Sequence, residues 1–187
     1  YPQDMANAFD NKMKFVQAND MDAISVAIDF LGVNYYSRGI ARSPLLSEEE
    51  NAPRTVIPNE EHTEMGWEVY PEGIYKTLGR LYFDYAFPAL YITENGAAFV
   101  DEVVDGQVDD PARLSFIKRH LEQVHRAIEI GVPIKGYFCW SLMDNFEWAH
   151  GYSKRFGLIH INYETQERII KSSGKWYGQV TRANSVE

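Results

Sequence analysis

The chain has 187 residues, 45% of them hydrophobic, with 27 acidic against 18 basic side chains and a formal net charge of −9. That length can bury a core, and the apolar share is ordinary globular usage. The acidity and the lack of a basic stripe exclude nucleic acid as a partner and disfavour anionic membranes and polyphosphates.

In chain order, short helices are predicted over residues 2–9 and 21–25. A first strand is read over residues 30–35, Phe-Leu-Gly-Val-Asn-Tyr. A polar stretch over 37–67 follows, with Pro44, Pro53, Pro58 and the acidic run 48–50. It is read as structureless, and such segments are functional or mobile. A helix over 71–84 sets Ile74, Leu78, Leu81 and Tyr85 on one face. The second strand runs over 89–93, with Glu94 at its end and Asn95-Gly96 read as a turn.

The next loop carries Asp101, Glu102, Asp105, Asp109 and Asp110. The spacing of a calcium loop is missing, so it is read as a solvated acidic loop. The following helix has Asp110 as N-cap, Pro111 in its first turn and Gly131 at its stop. Leu114, Ile117, Leu121, Val124 and Ile128 recur at helical spacing and are predicted to face a sheet. A third strand covers 134–141. A hairpin over 158–170 turns near 163–166, and a last helix covers 172–181. Apolar strands alternating with helices predict a parallel sheet covered on both sides.

The lone cysteine, Cys139, reads as core filler, and no Cys/His spacing suggests zinc. No run of about 18 apolar residues predicts a spanning helix. No leader peptide is legible, which gives a cytoplasmic expectation, although the chain begins at Tyr1 and residues are expected to be missing ahead of it. Aromatics make up 14% of the chain, with 4 Trp and 12 Tyr. Their mixed apolar and polar character suits a core and equally suits sugar binding.

Three strand ends carry chemistry-bearing groups. In parallel α/β folds those ends share one rim, where active sites form. Glu94 ends the second strand, as a catalytic group or as a surface carboxylate. Asn34-Tyr35-Tyr36 end the first, as site residues or as packed tyrosines. Trp140-Ser141-Leu142-Met143-Asp144-Asn145-Phe146-Glu147-Trp148 follow the third. Crowding so many polar groups for packing alone is costly.

Together these clusters resemble glycoside hydrolase family 1, the retaining β-glucosidases. The likeness runs through Phe30 to Tyr36, Ile92-Thr93-Glu94-Asn95-Gly96, Trp140 to Trp148, Gly151 to Leu158, and the tail from Tyr163 to Tyr177, in consistent order from about residue 28. The resemblance implies a (β/α)8 barrel of which residues 1–187 form one partial domain, supplying the last three βα units. It implies that Glu94 is the nucleophile of a retaining mechanism, which uses two carboxyl groups about 5–5.5 Å apart. Tyr36 is expected to donate a hydrogen bond to Glu94 and help keep it ionised, with Asn34 in support. Trp140 would form the platform under the sugar. Glu147 and Trp148 would bind its far hydroxyls, with Phe156 alongside. Relatives acting on 6-phosphorylated sugars lack an acid where Glu147 stands. A carboxylate there would repel a phosphate by several kcal/mol at about 4 Å, so unphosphorylated β-glucosides are expected, with β-galactosides or β-fucosides beside them.

The family's acid/base glutamate lies in a Thr-Phe-Asn-Glu-Pro-type motif that this chain lacks. Its Asn59-Glu60 pair has neither the preceding strand nor the trailing proline. The expected partners are therefore a small-molecule β-glycoside and either an N-terminal barrel fragment or a second copy of the chain. Neither metal nor organic cofactor is implied. The alternative from another class is a non-catalytic carbohydrate-binding or scaffold fragment. A nucleotide-binding domain is excluded by the lack of a glycine-rich phosphate loop after any strand.

Overall fold

The computed structural model describes residues 7–8, 15–43, 55–58 and 60–186. The helix predicted over 2–9 (apart from Asn7 and Ala8), the acidic run 48–50 and Asn59 lie outside the described residues. The elements run α1 (Asp20–Ile24), β1 (Leu31–Asn34), β2 (Ile40–Ala41), β3 (Thr55–Val56), α2 (Glu72–Tyr85), β4 (Leu90–Asn95), α3 (Pro111–Glu129), β5 (Ile134–Cys139), β6 (Ile159–Ile161), β7 (Arg168–Ile170) and α4 (Ser172–Ala183).

The predicted strand–helix alternation is realised as an α/β fold. β1, β4 and β5 form a parallel sheet in that order. The predicted hairpin is the antiparallel pair β6–β7. The polar stretch after β1 is not structureless, because Ile40 pairs with Val56 and Ala41 with Thr55.

α2 and α3 cover one face of the sheet. Ile74 and Leu78 of α2, with Val124 and Ala127 of α3, pack on Val33, Leu90 and Ile92. Each fully buried aliphatic side chain contributes about 1.5–3 kcal/mol. A second cluster joins Phe116, Ile117 and Leu121 to Leu158 and to Trp176, Tyr177 and Val180 of α4. Two helix faces differ from their prediction. Tyr85, at the end of α2, is exposed. On α3 the buried stripe is shifted, so that Ile128 is 47% exposed and Arg113, Phe116 and His120 lie inside. Two polar side chains hold interior positions there, which a search for apolar spacing passes over.

Among the described residues nothing covers the opposite face of the sheet, contrary to the reading of strands buried on both sides. Phe30 and Phe138 are more than half exposed, and Gly32, Asn34 and Thr93 are exposed too. Tyr91 lies along this face, edge-on to Phe30 with ring centroids 5.2 Å apart and over Gly136. The strands therefore alternate, with the helix side apolar and dry and the other side open.

The end of α3 follows its sequence signal. Gly131 has φ +94. Its amide donates to Ile128, and that of Val132 donates to Ala127, the paired bonds of a glycine-terminated helix.

Candidate active site

The strand register brings the predicted ends to one rim. Asn34 pairs with Glu94, and Asn95 pairs with Cys139. The Tyr36 hydroxyl donates to Glu94 Oε2 at 2.6 Å. That hydroxyl ionises above the usual tyrosine range. Burial is the largest cause, followed by the hydrogen bond to Glu94 and the charges of Glu94 and Glu147. It is thus a neutral donor held against a carboxylate. Tyr36 sits in an aromatic collar, with Trp67 at 5.3 Å and Phe156 at 6.3 Å between ring centroids. Trp67 went unnoticed in the sequence because it lies in the polar stretch, away from any strand end.

The predicted turn at Asn95-Gly96 is absent. β4 runs on through Glu94 and Asn95, and Gly96 does not take a left-handed φ. Glycine is needed for a different reason: a Cβ there would stand 1.6 Å from the carbonyl oxygen of Trp140. Asn95 is fully buried. Its Nδ2 donates to the Tyr35 carbonyl at 2.7 Å, and its Oδ1 accepts from the Tyr137 hydroxyl at 2.6 Å.

The other predicted residues take several positions. Asn34 is exposed and accepts from the Thr93 hydroxyl at 2.6 Å. Trp140 is half-buried, and its amide donates to the Asn95 carbonyl. Its peptide bond to Ser141 is cis. Glu147 is buried, and its charge reaches Tyr36. Phe156 is buried in the collar. Trp148 opens a short 3-10 turn and is 83% exposed. Cys139 is partly buried, and burial pushes its thiol up to about 12, so it is inert filler as expected.

Behind the rim lies a layer of paired charge. Two of the aspartates assigned to a solvated loop, Asp101 and Asp110, are buried. The exposed tip of that loop is a two-residue turn, with Asp105 and Gly106 both at positive φ. Arg113 donates to Asp101 and Asp110, and to the carbonyls of Ala97, Phe99 and Arg155. It thereby ties the loop after Glu94 to the loop before Phe156. Asp110 stands at the N-cap of α3 as predicted, its carbonyl accepting from the Leu114 amide, but its carboxylate makes no capping bond to that helix. Its carboxylate takes Arg113 and both donors of Ser173. Lys171 bridges Asp101 at 2.5 Å and Asp144 at 2.9 Å. Asp144 also accepts from Arg155 and from the amides of Gly157 and Ile161. Three cations thus meet three carboxylates. Donor atoms of Asp101, Asp144 and His160 lie within 4.8 Å of one another, close enough for a metal. The Lys171 ammonium already supplies the positive charge to both aspartates, so the cluster does not fit a divalent ion.

A sequence model described as glycosyl hydrolase family 1 matches residues 1–186. A beta-glucosidase A of Thermotoga maritima is 50% identical over 173 residues, covering 90% of this chain and 38% of that protein. A bifunctional beta-D-glucosidase/beta-D-fucosidase of Bifidobacterium breve is 47% identical over 179 residues, covering 87% and 39%. The solved beta-glucosidase from Thermotoga maritima in complex with azafagomine superposes with a TM-score of 0.88 at 44% identity, covering all of this chain and 42% of that one. The chain thus spans about two fifths of the length of the relatives it matches.

Proposed function

The chain belongs to glycosyl hydrolase family 1, and from that premise we propose that it carries the nucleophile half of a retaining β-glucosidase site acting on unphosphorylated β-D-glucosides. Glu94 is the nucleophile. One of its carboxylate oxygens bonds to the anomeric carbon as the bond to the aglycone oxygen breaks. The departing oxygen keeps the electron pair and takes a proton from an acid outside this chain. Water, deprotonated by that same group, then attacks the anomeric carbon, and Glu94 leaves as a carboxylate. The observation that carries the reading is the 2.6 Å hydrogen bond from the neutral Tyr36 hydroxyl to Glu94 on a strand-end rim. Trp140 serves as the sugar platform. Glu147, Trp148, Phe156 and Asn34 complete the sugar site. The fucosidase activity named for the Bifidobacterium breve relative supports tolerance at the sugar's rim.

The same proposal makes these residues the last three βα units of a closed barrel. Its support is the open sheet face with Phe30, Tyr91 and Phe138, and the outer edges of β1 and β5. An N-terminal barrel fragment, or failing that a second copy, covers them. The isolated chain is accordingly expected to sediment above monomer mass, and a stable monomer would count against this part.

The test is covalent trapping with 2-deoxy-2-fluoro-β-D-glucosyl fluoride, whose leaving group needs no proton. The chain is assayed alone and mixed with the N-terminal part of a relative. Attachment to Glu94 is expected. Sugar binding without attachment would instead support a non-catalytic carbohydrate-binding fragment.

A further inference from the structure

We propose that Asn95 is a positioning residue: it holds the Tyr36–Glu94 pair in register by fastening the three strands together at the rim. The argument begins with what this amide touches. The Asn95 backbone continues directly from Glu94. Its Nδ2 donates at 2.7 Å to the carbonyl of Tyr35, the residue after β1 and before Tyr36. Its Oδ1 accepts from the Tyr137 hydroxyl on β5 at 2.6 Å. Its own carbonyl accepts from the Trp140 amide at 2.9 Å. The Tyr35 amide in turn donates to the Glu94 carbonyl at 2.9 Å. One fully buried side chain therefore spans the elements that carry Tyr36, Glu94 and Trp140.

The bond it protects is short and sensitive. The Tyr36 hydroxyl sits at the far end of a ring hinged just past the end of β1, while its acceptor belongs to β4. Sliding β1 by a fraction of an ångström lengthens that bond. The β1–β4 register slips between Val33 and Asn34, and beyond the slip the backbone holds the rim through the bond from the Tyr35 amide to the Glu94 carbonyl. The Asn95 side-chain amide adds a second tie, to the Tyr35 carbonyl. Gly96 completes the arrangement by letting the Trp140 carbonyl approach. A buried amide satisfied only for packing would have no special effect on Tyr36, which separates the two roles.

The inference rests on the nucleophile reading only for its kinetic consequence, so two readouts are used. In the first, the chain carries 13Cζ-labelled tyrosine, and the Tyr36 resonance is assigned by its loss in Tyr36→Phe. Glu94→Ala gives the displacement caused by losing the acceptor. Asn95→Ala is expected to move the Tyr36 resonance in the same direction. Tyr137→Phe, which keeps the tie to Tyr35, is expected to move it less. Should Asn95→Ala fail to fold, Tyr137→Phe decides by the same criterion. In the second, the rate of Glu94 trapping is expected to fall about tenfold in Asn95→Ala but less than about twofold when the change is made on Tyr36→Phe, because coupled residues are not additive. An unmoved Tyr36 resonance in a folded variant, or effects that simply multiply, overturns the proposal. If the parent is never trapped yet the resonance moves, the nucleophile reading fails and the positioning role stands.

Discussion

The rim and the layer behind it treat their carboxylates in opposite ways. At the rim Glu94 meets a neutral hydroxyl from Tyr36. Behind it, Asp101, Asp110 and Asp144 each meet a cation, Arg113, Lys171 or Arg155, at 2.5–3.0 Å. A carboxylate bound to a guanidinium or ammonium is stabilised as a charge and blunted as a nucleophile. One that accepts a single neutral hydrogen bond keeps lone pairs for a carbon atom. On the proposed reading, neighbouring acids in the same fold are divided between chemistry and architecture by the partner each receives.

The largest effect expected from this division is at Glu94. Glu94→Gln should cut turnover by the completed enzyme on the order of 10⁵-fold while leaving the denaturation midpoint in place. A large loss of stability would put Glu94 with the architectural acids. The converse change is Arg113→Met, which leaves buried Asp110 without its cation and Asp101 with Lys171 alone. It should lower unfolding free energy by about 3–5 kcal/mol in urea titrations, because removing one partner leaves uncompensated charge. A neutral outcome would mean that the layer stabilises nothing.

His120 gives a gentler probe of the same interior. It is fully buried, its Nδ1 bonds the Phe116 carbonyl, and its Nε2 has no partner. Burial lowers its pKa from 6.5 to about 4. Above pH 6.5 the folded and unfolded chains both hold it neutral. Between 6.5 and about 4 only the unfolded chain takes up the proton, so stability falls with pH, by about 3 kcal/mol in all. Replacing His120 with Leu should flatten that limb, and an unchanged slope would refute the assignment. The smallest change is Glu147→Ser, expected to lower kcat/KM for a β-glucoside about 100-fold with little loss of stability. An unaltered kcat/KM would move Glu147 out of the sugar site.

The strands, the helices and the order of the rim clusters were legible because periodicity and capping are local signals. Gly131 is a clear case, since the left-handed φ it adopts is what its position after α3 foretold. The buried charges were not legible. Asp101 and Asp110 read as solvated because sequence shows their sign but not Arg113, 12 and 3 residues away, or Lys171, 70 away from Asp101. Asn95-Gly96 misled for a related reason. The dipeptide carries a turn signal, yet here the Asn95 side chain is set by Tyr35 and Tyr137, at sequence distances of 60 and 42, and Gly96 by the Trp140 carbonyl. Trp148 received its role by resemblance, and nothing in the sequence signals its 83% exposure or the φ of +38 at which the 3-10 turn begins.

The position of β4 between β1 and β5 has one more consequence. It is the one strand of this sheet flanked on both edges, and Leu90, Ile92 and Asn95 on it are fully buried. Its amides can reach deuterated solvent only if a neighbouring strand peels away first, so they should be the slowest to exchange in the sheet. The proposed nucleophile therefore rides on the slowest clock in the sheet.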